Sequence, residues 1–382
     1  MIKMVNLYGQ YLSVRDEVDR AMNRVIREAA FIQGDSVRLL EKELAAFVGT
    51  AHCVACGSGT DALFLAMSAL ELGPGDEVIV PAFTFGAAAE AVALVGATPV
   101  FADADGGTFN MDPASAERLI SERTRAIVPV HLFGQPCDMR AILDLARRHD
   151  LIVIEDNAQS FGAKCSIGPD TTLSAGSAGL ISCTSFFPTK VLGCYGDGGA
   201  LFTDDGALAR KIRILANHGQ SPKYHYERLG INSRLDTLQA AVLRVKLRRL
   251  PGWIDSRVRA AERYDAALKA LPGVVLPEKI PGNTHVYHQY TVKVDPRWRD
   301  SLKASLNACG IEAMVYYPEP LYSQPAYGPL CRMDPMMAVT PQLVGSVLSL
   351  PICSHIAEED QERVIAEVER FVCALASELP AL

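Results

Sequence analysis

No stretch of this chain approaches the roughly 18 consecutive apolar residues of a membrane-spanning helix, and charges interrupt the opening MIKMVNLYGQYLSVRDEVDR before a secretion-signal core can form. The expected location is the cytoplasm, with no membrane as partner. Any block of lysine and arginine is also missing. With a formal net charge of -7, the chain has no electrostatic reason to meet nucleic acid or an anionic lipid surface. There is no internal repeat and no low-complexity tract. Metal-ligand spacing of cysteines is absent too: of 10 cysteines only Cys53 and Cys56 make a C-x-x-C, and no second pair follows. If AHCVAC is extended, those two side chains point to opposite faces. The preferred reading is reduced thiols used as small core residues, with no metal site.

What is present is a chain of 382 residues, 49% hydrophobic, long enough to bury a large core in two domains. Between about residues 50 and 205, strand-like runs alternate with helical segments. The runs are HCVAC, EVIVPA, TPVFAD, RAIVPV, LIVIED, GLISCTSF and GALFT; DALFLAMSALEL and MRAILDLARRH lie between them. LIVIE and AIVPV are apolar at successive positions, as burial on both sheet faces requires. The pattern predicts a mostly parallel α/β sheet sandwiched by helices. Helices are predicted over Arg15–Ala30 and Ser36–Val48, the second with Ser36 as N-cap and Gly49 as its stop. Two more are expected at Asp236–Arg249 and Asp255–Leu271. The segment LPGVVLPEKIPGN then marks a change of texture. Beyond it QYTVKV, GIEAMVYY and a final helix over Glu358–Ala376 suggest a small α+β domain. The boundary is placed near residue 250, giving a large domain over 1–250 and a small C-terminal domain over 251–382.

Three segments carry chemistry. In Cys56-Gly57-Ser58-Gly59-Thr60-Asp61, small residues lead from a strand into a helix whose first amides are free, which suits an anion such as phosphate. An ordinary turn is the competing reading, and the spacing fits neither the P-loop nor the dinucleotide glycine motif. Asp156 ends LIVIED, at the strand end where ligands of open α/β sheets sit. It reads either as a cap for the next segment or as a carboxylate able to keep a heterocyclic nitrogen protonated. Lys190, in Ser185-Phe186-Phe187-Pro188-Thr189-Lys190, precedes four glycines within seven residues (Gly193, Gly196, Gly198, Gly199). It is either solvated, as most lysines are, or desolvated by its apolar neighbours into a nucleophile. Together, a phosphate turn, a strand-end acid and a desolvated lysine are the protein parts that pyridoxal 5′-phosphate (PLP) chemistry requires. On that reading Lys190 holds the cofactor as a Schiff base and, once displaced by the amino donor, moves the proton.

The blocks GSGTDAL, GPGDEVIVPAFTF, IVPVHLFGQ, VIEDNAQSFGA, SFFPTKVLGCYGDGGALFT, NHGQ, GINSRLDTLQAAVL, YYPEPL and LSLPI run almost end to end. In them the chain resembles the DegT/DnrJ/EryC1/StrS family of nucleotide-sugar aminotransferases, which are fold-type I PLP enzymes passing through a pyridoxamine phosphate (PMP) form. The resemblance implies Lys190 as the Schiff-base lysine, Asp156 as partner of the pyridinium and Gln159 as neighbour of the ring and its hydroxyl. It implies Ser58, Gly59, Thr60 and Ser185 as phosphate contacts and Phe85 as the stacking aromatic, a position that a core phenylalanine would also fill. Asn232 is implied to reach the phosphate of a neighbouring subunit's cofactor, hence a homodimer with shared active sites. The SFFPTKVLGCYGDGGA, HGQ and GINSRLD blocks look most like enzymes that aminate C3 of a UDP-linked 3-keto-N-acetylhexosaminuronic acid from L-glutamate, for bacterial O-antigen. Arg234 suits a carboxylate of either substrate, or a structural ion pair. His218, Tyr316 and Tyr317 are further sugar-pocket candidates, the tyrosines also fitting domain packing. Val191 and Tyr316 depart from the Asn or Pro, and the His, common at those positions. A dehydratase branch replaces the lysine with histidine, which Lys190 opposes.

Overall fold

The computed structural model describes residues 1–378. The apolar runs become strands because side chains are buried on both of their faces. In chain order the strands are β1 (His52–Cys56), β2 (Glu77–Pro81), β3 (Thr98–Ala102), β4 (Thr124–Ile127), β5 (Ile152–Asp156), the partly exposed pair β6 (Lys164–Gly168) and β7 (Thr171–Ser174), β8 (Ile181–Ser185) and β9 (Gly199–Thr203). After them come β10 (Val274–Val275), β11 (Tyr290–Val294), β12 (Arg332–Met333) and β13 (Val347–Leu350). The main sheet has eight strands in the order β1-β9-β8-β5-β4-β2-β3-β12. Only β9 runs against its neighbours, β1 and β8; the other pairings are parallel. β10, β11 and β13 form a separate antiparallel sheet.

Helices cover both faces of the main sheet. Gly59–Ala69, Ala87–Leu94 and Gly206–Ala216 pack with Val54, Cys56, Val78 and Val80 into one apolar cluster. Leu40, Leu44 and Val48 of the helix Asp35–Val48 pack with Cys53, Ala55 and Phe202 on the other side. Cys53 and Cys56 thus enter different clusters, as strand alternation requires. Both are buried free thiols, and burial holds each well above its ordinary pKa.

Local differences from the sequence reading have physical causes. Helix Asp35–Val48 begins one residue earlier than expected: Gly34 caps it, without a side-chain bond, and Ser36 lies inside the first turn. Gly49 does end it, at a left-handed φ of 89° that glycine adopts without penalty. The two helices expected on either side of Pro251 are one helix, Thr237–Leu268. A proline removes one backbone bond and crowds the preceding turn. Here buried Leu247, Leu250 and Trp253 anchor both halves and override it. This helix passes through residue 250 and delivers Ala260, Ala261, Tyr264 and Leu268 to the cluster around the three-stranded sheet. GIEAMVYY forms no strand; Ile311 and Met314 make isolated bridges to Ile2 and Ser349, and the segment continues into the wall of the site described next. Among the described residues, no helix is long and apolar enough to cross a membrane.

Candidate active site

The carboxyl ends of β5 and β8 open beside the N-terminus of helix Gly59–Ala69, around a cavity of about 420 Å³. Crevices at strand carboxyl ends are where open α/β sheets hold ligands. Of the residues singled out from sequence, Ser58, Gly59, Thr60, Phe85, Asp156, Gln159, Ser185, Lys190, Tyr316 and Tyr317 all line it.

The turn into the helix is built for close backbone approach. Ser58 is the N-cap, its hydroxyl accepting from the Asp61 N–H at 3.0 Å. Helix geometry leaves the first-turn amides of Gly59 and Thr60 without an intrahelical acceptor, facing the cavity with the positive end of the helix. A Cβ on Gly59 would fall 2.6 Å from Ser185 Cβ, and one on Gly199 would fall 2.3 Å from the Ser58 carbonyl oxygen. Neither glycine can be replaced without moving this turn. The Gly57 N–H donates to Ser233 Oγ (2.9 Å), which donates to Asp61 (2.7 Å), fixing the approach from below. Gly199→Ala is therefore expected to weaken cofactor binding about 5- to 150-fold, since overpacking of this kind costs about 1–3 kcal/mol. Titration of cofactor-free protein with PLP, followed by absorbance, checks this; an unchanged Kd would rule out a tight fit between β9 and the turn.

Asp156 is buried at the end of β5, 7% exposed. One carboxylate oxygen accepts from the Ala158 N–H (3.0 Å), so the local capping role and a place in the cavity coexist. Burial raises its pKa, against the pull of that N–H, of Lys190 and of His131. An acid whose charged form is disfavoured in this way gains much from a cationic partner. Behind it, Glu155 is fully buried. It accepts from the backbone N–H groups of Gly176 (2.9 Å), Ala178 (2.7 Å) and Gly179 (2.7 Å), and contacts His131 Nε2 at 2.9 Å. His131 Nδ1 accepts from the Cys137 N–H (3.2 Å), so Nε2 carries the proton and donates it to Glu155. The strand end bearing Asp156 is thus clamped by bonds that the sequence alone did not suggest.

Lys190 sits half-buried on the cavity wall. Burial pulls its pKa down to about 8, partly opposed by Asp156. Gln159 is buried; its Oε1 accepts from the Phe133 N–H (2.8 Å) and its Nε2 donates to Tyr317 Oη (3.2 Å). Tyr317 also packs edge-on against Phe83, and Phe85, 62% exposed at the mouth, lies with its ring centre 6.4 Å from that of Tyr317.

His218, Asn232 and Arg234 are not brought to this cavity. His218 and Asn232 are exposed, the latter bridging to Asn217. Arg234 lines a separate hollow of about 340 Å³ with Arg38, Glu41 and Arg213. It donates to Asn217 Oδ1 (3.0 Å), keeps a buried Nε without a partner, and has no carboxylate partner among the described residues. Thr84, Thr189, Asp197, His288 and Gln289 also line the main cavity. Sequence reasoning missed them; Thr84 and Thr189 lay unread inside the quoted AFTF and PTK blocks, whereas HQY carries no motif.

An amine of depressed pKa, a buried acid, a helix N-terminus admitting an anion, and buried polar atoms without partners in one cavity fit a phosphate-bearing pyridine aldehyde. Comparison with known proteins agrees. The model of the DegT/DnrJ/EryC1/StrS aminotransferase family matches residues 13–369. A Pseudomonas aeruginosa protein named UDP-2-acetamido-2-deoxy-3-oxo-D-glucuronate aminotransferase is 46% identical, over 93% of this chain and 96% of its own. A Geobacillus stearothermophilus protein named pleiotropic regulatory protein is 44% identical over 97% and 98%. Other relatives are named dTDP-sugar transaminases and a GDP-perosamine synthase. The crystal structure of S. venezuelae DesV with a ketimine intermediate superposes with a TM-score of 0.92 at 40% identity, over 97% of this chain and 98% of that one. The chain has the fold of these aminotransferases, and its cofactor is PLP. It belongs to the DegT/DnrJ/EryC1/StrS aminotransferase family.

Proposed function

We propose that this protein transfers the amino group of L-glutamate to C3 of a UDP-linked 3-keto-N-acetylhexosaminuronic acid, in the cytoplasm, for O-antigen or lipopolysaccharide sugars. The observation that carries the aminotransferase chemistry is the single cavity joining Lys190, Asp156 and the Ser58–Thr60 helix terminus. The relative at 46% identity supports the sugar.

When bound, PLP supplies an electron-accepting ring that takes up the pair left as the substrate carbon loses its proton. In our reading Lys190 first holds the cofactor. With the cofactor bound and the amino donor in its place, the freed Lys190 amine would be the base that carries the substrate proton. A pKa of about 8 leaves the amine able to take up and release that proton near neutral pH. Asp156 would keep the ring nitrogen protonated. Ser58, Gly59, Thr60 and Ser185 would bind the phosphate, with Gln159 beside the ring hydroxyl and Phe85 as the stacking aromatic. Tyr316 and Tyr317 border the sugar.

His218, Asn232 and Arg234 lie outside the cavity on exposed or hollowed surface. This supports a two-fold homodimer in which they complete the site of a second copy, Asn232 at the phosphate and Arg234 at a substrate carboxylate. Arg234→Ala is expected to raise KM about 10- to 100-fold for the partner whose carboxylate it binds, the range of a charge-assisted hydrogen bond. Steady-state kinetics with each substrate varied decides this; equal loss for both partners would assign Arg234 a structural role.

A second reading, amination of another keto sugar carried by dTDP, is favoured by the names of several relatives. A non-catalytic regulator is suggested by the name of one relative, and the intact Lys190 and Asp156 oppose it. Mixing the protein with L-glutamate and then with UDP-linked 3-keto-N-acetylglucosaminuronic acid, under visible absorption, separates the three. Loss of the cofactor band and its return with the sugar fit the proposal. Loss without return moves the substrate elsewhere, and no response to any amino donor leaves the regulator.

A further inference from the structure

The wall of the Lys190 cavity contains polar groups that the cofactor contacts above do not use. Four buried side-chain atoms among the described residues lack a hydrogen-bond partner. Three of them, Thr84 Oγ1, His288 Nδ1 and Gln289 Oε1, belong to residues lining this one cavity. Thr84 is 2% exposed and His288 6%. A buried polar atom left unpaired costs about 1–3 kcal/mol. Three such atoms on residues lining one cavity suit a hydrogen-bonding ligand there.

The segment bearing two of them is held in place from three sides. The Val286 N–H donates to the Gly134 carbonyl (2.9 Å), and the Gln289 N–H donates to the Phe133 carbonyl (3.2 Å). At Gly134, φ +113°, a Cβ would lie 2.7 Å from the backbone nitrogens of Tyr287 and His288, so this approach needs glycine. Buried Arg257, from the long helix, donates through Nη1 to the carbonyls of Tyr287 (2.9 Å) and Ile352 (3.2 Å). Phe133 is in turn bonded to Gln159. His288 and Gln289 are therefore fixed relative to the strand end carrying Asp156. Such pre-positioning is how binding geometry is made precise.

The chemistry of the trio selects its ligand. A threonine hydroxyl, an amide and a neutral imidazole each both donate and accept. Burial, with Lys190 and Arg257 nearby, holds His288 well below its ordinary pKa and so keeps it neutral. A carboxylate only accepts, and its charge would find no counter-charge in this trio. A hydroxyl both gives and accepts. Lys190 and His288 line the same cavity, so the imidazole shares its wall with the amine at which the chemistry is proposed. Beside its reacting carbon the proposed sugar carries a hydroxyl on C4 and an acetamido group on C2, each able to donate and to accept, whereas glutamate carries a carboxylate and a methylene.

We propose that Thr84, His288 and Gln289 form an uncharged subsite that hydrogen-bonds the uncharged polar groups flanking the reacting carbonyl of the sugar ring, its hydroxyl and acetamido groups, and so select the amino acceptor over the donor. The inference rests on the sugar-aminotransferase reading above. Its test is the holoenzyme, wild-type and with Thr84→Val, His288→Leu or Gln289→Leu, with the two half-reactions followed separately by cofactor absorbance. L-Glutamate drives the first, UDP-linked 3-keto-N-acetylglucosaminuronic acid the second. Each variant is expected to lower the ratio of kcat/KM for the sugar to that for glutamate about tenfold, one hydrogen bond's worth. A ratio that stays constant, or moves against glutamate, overturns the subsite and leaves a role in cofactor placement or in the donor site. Thr84→Val is nearly isosteric, so it retains a reading if a bulkier change fails to fold. Should wild-type protein accept glutamate but not this sugar, the substrate reading fails by itself, and the same ratio is taken with a dTDP-linked 3-keto-6-deoxyhexose. Wild-type turnover on neither sugar overturns both.

Discussion

Lys190→Ala is expected to lower turnover with glutamate and with the sugar alike by about 10⁴-fold or more, because the proposed mechanism gives one side chain both duties, covalent holder and proton carrier. Two measurements separate those duties. Borohydride should fix PLP covalently to the wild-type chain and not to the variant, and an added small primary amine should restore part of the proton-transfer rate to the variant. Retention of more than about a tenth of wild-type turnover would remove Lys190 from the chemistry. The depressed pKa adds a pH signature. Only the neutral amine attacks the cofactor aldehyde, and its fraction rises with pH to half at about 8, below the ordinary lysine value, because burial penalises the ammonium. The rate at which PLP attaches to cofactor-free protein should therefore climb across about pH 7 to 9. A midpoint near that of an ordinary lysine would show that the amine is solvated.

Asp156→Asn should reduce both half-reactions about 10²- to 10³-fold while leaving the fold intact, since the amide matches the carboxylate in shape and can still accept the Ala158 N–H. What is lost is the charge that, in the proposed mechanism, keeps the ring nitrogen protonated. The effect should fall on kcat more than on the KM of either substrate, as expected for an interaction that strengthens in the transition state. A second consequence carries the opposite sign from a simple loss. The Asp156 carboxylate favours the ammonium form of Lys190, so its removal should shift the midpoint of cofactor attachment to lower pH. Loss of less than about threefold in kcat would assign Asp156 to the local turn alone.

How far the site was legible in the chain follows from where each residue's partners lie. Lys190, Asp156 and the Ser58–Thr60 turn stand beside their own strands, and local texture suffices to place them at strand ends: apolar runs before, glycines or a helix start after. The same locality explains why β1 to β5, β8 and β9 were readable, and why the C-x-x-C of β1 divides between two packing clusters. The hairpin β6–β7 was not readable, because its residues are partly exposed and make no apolar run.

Pro251 shows the limit of local rules, since a proline that should divide a helix is absorbed when Leu247, Leu250 and Trp253 are buried around it. The segment His288–Gln289 shows it at the site. Nothing within several residues of it signals function; its placement depends on the loop at Phe133–Gly134, on Arg257 from the long helix, and on burial that only the closed tertiary structure supplies. The sequence by itself determined the sheet and the aminotransferase chemistry, and marked Lys190, Asp156 and the Ser58–Thr60 turn as the groups to look for, because periodicity and strand-end motifs are local properties. Tertiary structure alone decided which polar atoms meet in one cavity and which of Asn232, Arg234 and His218 stand outside it, because those relations join residues far apart in the chain through packing.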